Sequence, residues 1–153
     1  MKIFISGAAG FIGFHVTKAF LSRGDDVVGV DNLNDYYDPS LKEARLKELG
    51  KHNKQSEGEF TFFKGDISDS KFIKDHLKNG FDRVINLAAQ AGVRRSLKEP
   101  QAYVKSNIKG FVNVLDDGEP SSHISIEGCI SHAHFALVPR CQYYPTEFVT
   151  ERH

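Results

Sequence analysis

The apolar positions of this 153-residue chain change period several times before residue 116, and each change marks an element. Lys2-Ile3-Phe4-Ile5-Ser6 is a short β-rich run that ends at Gly7, and a helical period follows at Ile12, Val16, Ala19 and Phe20. Gly24 stops that helix, and Val27-Val28-Gly29-Val30 reads as a second strand ending on Asp31. Ser40 and Glu43 have the spacing of a capping box for a helix through Leu41, Ala44 and Leu49, stopped near Gly50. Phe60 to Phe63 reads as strand three. Asp69 can cap a helix through Phe72, Ile73 and Leu77 that ends near Gly80, and Arg83-Val84-Ile85-Asn86-Leu87 reads as strand four. A last helix runs from about Pro100 to Leu115.

Strands that are continuously apolar and alternate with helices predict an α/β fold: a doubly wound, Rossmann-like parallel sheet of about four strands, covered on both faces. Such a sheet is incomplete for this architecture. Beyond Asp116 the pattern stops. Asp117-Gly118-Glu119-Pro120-Ser121-Ser122 is a turn-rich break, only His134 to Val138 resembles a strand, and no internal repeat or low-complexity tract follows. The expected organisation is therefore a domain over 1–116 and an irregular, atypical tail over 117–153.

Composition sharpens that boundary. The chain holds 20 Lys plus Arg and 20 Asp plus Glu, but the neutrality is a sum of unlike parts. Residues 1–116 carry 18 basic against 15 acidic residues, a balance of +3, and residues 117–153 carry 2 against 5, a balance of −3. All 13 Lys lie at or before Lys109, whereas both Cys and four of the seven His lie in the tail. Zero net charge gives no electrostatic reason to expect nucleic acid or a membrane surface as partner. With no run near the roughly 18 apolar residues of a membrane span, and no signal-peptide layout, the expectation is a cytoplasmic chain with reduced cysteines.

The chemistry concentrates in Gly7-Ala8-Ala9-Gly10-Phe11-Ile12-Gly13, which follows a strand and opens a helix. There a first glycine reverses the chain, Gly10 lets backbone approach a pyrophosphate, and Gly13 lets the helix pack on the sheet. The helix N-terminus then suits an anion without any lysine. Asp31, 18 residues after Gly13, can accept hydrogen bonds from a ribose diol, and the absence of Arg in Asn32-Leu33-Asn34-Asp35 favours NAD over NADP. Asp66, after strand three, can accept from an adenine amino group. Ala88, Ala89 and Gln90, after strand four, leave room for a flat ring. On the residues alone, Asp66 fits a turn former and the alanines fit plain packing equally well.

Residues 1–116 resemble the N-terminal part of extended short-chain dehydrogenases/reductases, the NAD-dependent epimerase/dehydratase family, and most closely UDP-glucuronate 4-epimerases. The stretches GAAGFIGFHV, VVGVDNLNDYYDPSLKEARL, FFKGDISD, INLAAQAGVRRSLKEP and YVKSNIKGFVNVL carry the resemblance. It implies NAD as cofactor, with Gly7, Gly10 and Gly13 at the pyrophosphate, Phe11 and Ile12 beside them as cofactor-binding residues, and Asp31 and Asn32 at the adenosine ribose. It further implies Asp66 and Ile67 at adenine, Leu87, Ala88, Ala89 and Gln90 on the nicotinamide side, and Asn107 as a backbone-bonding residue beneath the active site. Arg94 and Ser96 would lie near the sugar or its carboxylate, a nucleotide sugar would be the substrate, and a homodimer would form through helices including that near residues 100–115. Asn86, where the family usually has His, and Arg95, where it has an aromatic residue, depart from the pattern.

In that family NAD takes a hydride from C4 of the UDP-sugar and returns it to the other face, while a Tyr activated by a Lys four residues later moves the hydroxyl proton. The residues four after Tyr36, Tyr37, Tyr103, Tyr143 and Tyr144 are Ser40, Leu41, Asn107, Glu147 and Phe148. None is Lys, the Ser-rich end of a fifth strand is missing, and so is a sugar-binding domain; no catalytic residue is therefore assigned. The expectation is an incomplete epimerase-like chain, inactive alone, that leaves the family's sequence after about Asp116 as an out-of-frame reading would. Its rivals are a noncatalytic NAD-binding or partner-binding module, and part of a sugar-nucleotide dehydratase. Cys129, His132, His134 and Cys141 in the tail match no zinc spacing, so no metal is expected.

Overall fold

The computed structural model describes residues 1–52, 58–78 and 80–117. Four strands, β1 (Lys2–Ser6), β2 (Asp26–Asp31), β3 (Phe60–Lys64) and β4 (Arg83–Asn86), form one parallel sheet in the order β3-β2-β1-β4. The helices are α1 (Phe11–Ser22), α2 (Pro39–His52), α3 (Ser70–Leu77), α4 (Val93–Ser96), α5 (Pro100–Tyr103) and α6 (Phe111–Asp117), with a π-helical segment Val104–Gly110 joining the last two. α5, that segment and α6 run on as helix 100–117. Every strand and long helix read within residues 1–116 is present.

Alternation within β1 divides the core. Ile3 and Ile5 face one side with Leu21 of α1, Val27 and Leu49 of α2. Phe4 faces the other with Ile73 and Leu77 of α3, Val84 and Val114 of α6, and its ring meets Phe81 edge-on at 5.5 Å. Phe4, Ile3 and Ile5 are completely buried, each contributing about 1.5–3 kcal/mol relative to exposure. Two apolar clusters on opposite faces of one sheet are the doubly wound arrangement.

Three details differ from the sequence reading. α2 starts at Pro39, not behind a Ser40 cap: the Asp38 carboxylate accepts from the Ser40 amide at 2.9 Å, and Pro39 begins the helix with its φ already set. That helix also runs past Gly50, where a side chain would meet nothing, to His52. The final helix, read as one regular period, contains the π-helical segment, and the short turn α4 precedes it. Asp69 does cap α3, accepting from the amides of Lys71 and Phe72, and Gly80 follows with φ +65°. His134–Val138 lies outside the described residues.

Candidate cofactor site

β1 lies between β2 and β4, so the connections leave it in opposite directions and a crevice opens over the C-terminal ends of β1 and β4. A cavity of about 290 Å³ occupies that place. The glycine turn lends it Gly7, Gly10 and Phe11; the loop after β2 lends Asp31 and Asn32. Asp66 and Ile67 enter after β3, and Leu87, Ala88, Ala89 and Gln90 after β4.

The turn is dictated by close approach. Gly7 has φ +72°, and a Cβ there would stand 2.8 Å from the backbone of Leu87 and Ala88. Its amide and that of Ala8 donate to the Val30 carbonyl at 2.7 and 3.2 Å, which fixes the turn to β2. Gly13 lies behind the turn, where a Cβ would collide with the Gly7 carbonyl; it shapes the loop without lining the cavity. Gly10 faces the cavity and caps α1 with no side chain, so no side-chain oxygen occupies the first-turn amides. Ile12, 46% exposed, does not line the cavity.

Asp31 is buried, and its Oδ1 accepts from the Leu33 amide at 2.8 Å and from Lys42 Nζ at 3.3 Å. Its Oδ2 takes no hydrogen bond among the described residues. Lys42 is buried as well and also donates to Asn34 Oδ1 at 2.9 Å. One turn on, Arg45 donates to the Ala9 carbonyl at 3.1 Å, with its guanidinium over the Phe11 ring. Sequence reasoning missed both cations, because LKEAR reads as the solvated face of a helix. The only sign was their spacing of three, which puts them on one side of α2.

Asp66 Oδ1 accepts from the Ser68 amide at 2.9 Å and hydroxyl at 2.8 Å, and Lys105 Nζ stands 3.1 Å from Oδ2. Partial burial pushes its pKa up, but the Ser68 groups and the Lys105 ammonium outweigh that and hold it below the ordinary carboxylate value. Across the cavity, Asn107 clamps the Gln90 backbone: its Oδ1 accepts from the Gln90 amide at 2.7 Å, and its Nδ2 donates to the Gln90 carbonyl at 3.0 Å. Arg94 is exposed and Ser96 half-buried in α4, and neither lines the cavity. Among the described residues no group of His, Cys, Asp and Glu is arranged for a metal ion, and no helix is long and apolar enough to cross a membrane. The tail's Cys129, His132, His134 and Cys141 lie outside those residues.

The family model described as GDP-mannose 4,6 dehydratase matches residues 4–120. This chain belongs to that family. It is 49% identical over 117 residues to UDP-glucuronate 4-epimerase 4 of Arabidopsis thaliana, covering 76% of this chain and 25% of the relative. It is 47% identical over 134 residues to protein CapI of Staphylococcus aureus, covering 85% of this chain and 36% of CapI. The chain thus spans about a quarter to a third of the length of these relatives. Its fold matches the UDP-glucose-4-epimerase of Stenotrophomonas maltophila, solved with bound NAD and formylated UDP-arabinopyranose. That match has 27% identity and a TM-score of 0.64, covering 77% of this chain and 34% of the other.

Within this epimerase/dehydratase family the two departures acquire structural positions. Asn86 is buried and its Oδ1 accepts a short hydrogen bond from the Ser6 hydroxyl, while the Ala88 amide donates to Ser6 Oγ at 3.2 Å. It braces β1 against β4 below the cavity. Arg95 pairs with Glu99 at 3.1 Å and lies over the Tyr36 ring at 5.1 Å, tying the loop after β2 to the loop after β4.

Proposed function

We propose that residues 1–116 are the NAD-binding half of a UDP-glucuronate 4-epimerase-like protein, and that this chain alone does not turn over. The observation that carries the reading is the cavity at the β1/β4 crevice, onto which Gly10, Asp31, Asp66 and Gln90 converge from four different loops. The residues fit the group. Gly10 leaves the α1 amides open to a pyrophosphate, Asp31 keeps Oδ2 for a ribose hydroxyl, and Asp66 offers a carboxylate to an adenine amino group. Ala88, held by Ser6, and Ala89 would border the nicotinamide, whose bound form supplies an acceptor for the hydride of a sugar C4–H and a donor for its return.

What the described residues do not offer is a Tyr with an activating Lys four positions on. The Tyr103 hydroxyl lies 2.6 and 2.5 Å from the Ala91 and Gly92 carbonyls and donates its one proton to them. Desolvation, and Tyr36 beside it, raise its pKa, so it stays protonated at neutral pH, and Asn107 stands where an activating Lys would be. The 44–49% identity to UDP-glucuronate 4-epimerases favours an epimerase parentage over a dehydratase one. The boundary near Asp116, the atypical tail, a nucleotide-sugar partner and a cytoplasmic location belong to the same proposal. The test is an epimerase assay on the full chain with NAD and UDP-glucuronate. Silence is expected, and turnover above background contradicts it. Reading the encoding DNA past codon 116 in all three frames should reveal a Tyr-x-x-x-Lys in another frame; its absence contradicts an out-of-frame origin of the tail.

A further inference from the structure

The rim of the cavity carries an ion pair where helix 100–117 passes the loop after β3. Lys105 Nζ lies 3.1 Å from Asp66 Oδ2, with side chains 60% and 31% exposed. Asp66 Oδ1 is already engaged by the Ser68 amide and hydroxyl. Toward a ligand, the carboxylate therefore presents Oδ2, and beside it stands an ammonium with two further protons to donate. Its sequence neighbours fix the backbone there: Ser106 lines the cavity, and Asn107 is bonded to the Gln90 backbone.

A lone acceptor and an acceptor–donor pair recognise different purine edges. A carboxylate oxygen accepts from a 6-amino group and repels a 6-oxo group placed in the same position. With an ammonium alongside, the oxo oxygen finds a donor, while the carboxylate takes the ring N1–H. Resting on the NAD reading above, we propose that Lys105 is a specificity-determining residue that lets the base end of this site accept a 6-oxo purine nearly as well as adenine. An ion pair this exposed contributes little to stability, so its loss should move base selectivity and leave the fold intact.

Calorimetric titration of the full 153-residue chain with NAD and with nicotinamide hypoxanthine dinucleotide tests this, using the unmodified chain, Lys105→Met and Lys105→Arg. The two dinucleotides should bind the unmodified chain within about threefold of one another, and Lys105→Met should weaken the hypoxanthine form at least about tenfold relative to NAD, the size of one charge-assisted hydrogen bond. Lys105→Arg, which keeps a donor, should restore the original ratio. NAD binding with a ratio that Lys105→Met leaves unchanged overturns the proposal while sparing the NAD reading. Binding of neither dinucleotide by the folded chain overturns both.

Discussion

Asp31 shows how much one residue's role depends on a partner eleven positions away. By itself it is a carboxylate at a strand end; with Lys42 it is half of a buried pair whose second oxygen remains open to a ligand. Removing one partner of such a pair leaves an unpaired charge, at about 3–5 kcal/mol when fully enclosed. Because this pair borders the cavity, Lys42→Met should cost less, roughly 2 kcal/mol in chemical denaturation, and should weaken NAD binding as well. An unchanged stability would show that the pair is solvated. Asp66 gives a pH signature with a definite sign. Its folded pKa lies below the ordinary carboxylate value, so its contribution is complete above the unfolded value of about 3.9 and is lost as pH falls through the lower folded one. The stability gap between the unmodified chain and Asp66→Asn should therefore hold at neutral pH and close only as pH falls below the ordinary carboxylate value and through the lower folded one. A gap that widens on acidification would contradict the assignment.

The elements were legible because their apolar periods are clean. Phe4 between Ile3 and Ile5 announces a strand buried on both faces, and Gly7 to Gly13 announces the strand–turn–helix that builds the site. Gly7 and Gly13 could be read individually because each answers a local steric demand. The cations could not be read so. Lys42, Arg45 and Lys105 matter through contacts that cross from one element to another, and a polar residue on a helix carries no mark of what the fold will bring to it. The π-helical segment escaped notice for a related reason: a local widening of the turn leaves no change in the apolar spacing, though such segments concentrate at functional sites. Asn107 sits inside it and satisfies both the amide and the carbonyl of Gln90. Asn107→Ala should cost about 2 kcal/mol, two unmade hydrogen bonds in a half-buried setting, and should loosen the loop after β4 so that NAD affinity falls with it. Loss of stability with full NAD affinity would show that the loop does not depend on Asn107.

At the scale of the molecule, four parallel strands and their covering helices make the crevice that the cavity fills, and the pieces of the site lie at corresponding ends of different strands. That convergence, and not any one motif, is why the chain reads as a dinucleotide binder. β4 pairs only with β1 among the described residues, and Val104, Ile108 and Val112 are exposed on helix 100–117. The chain matches the N-terminal part of relatives that are about two to three times its length, so binding of the cofactor and turnover of a sugar are expected to separate in it. Calorimetric titration of NAD into the folded full-length chain bears on that separation first. Saturable heat that Gly10→Val abolishes, and that Asp31→Ala weakens, is the predicted result; a flat titration with folded protein, or heat that Gly10→Val leaves intact, would contradict it.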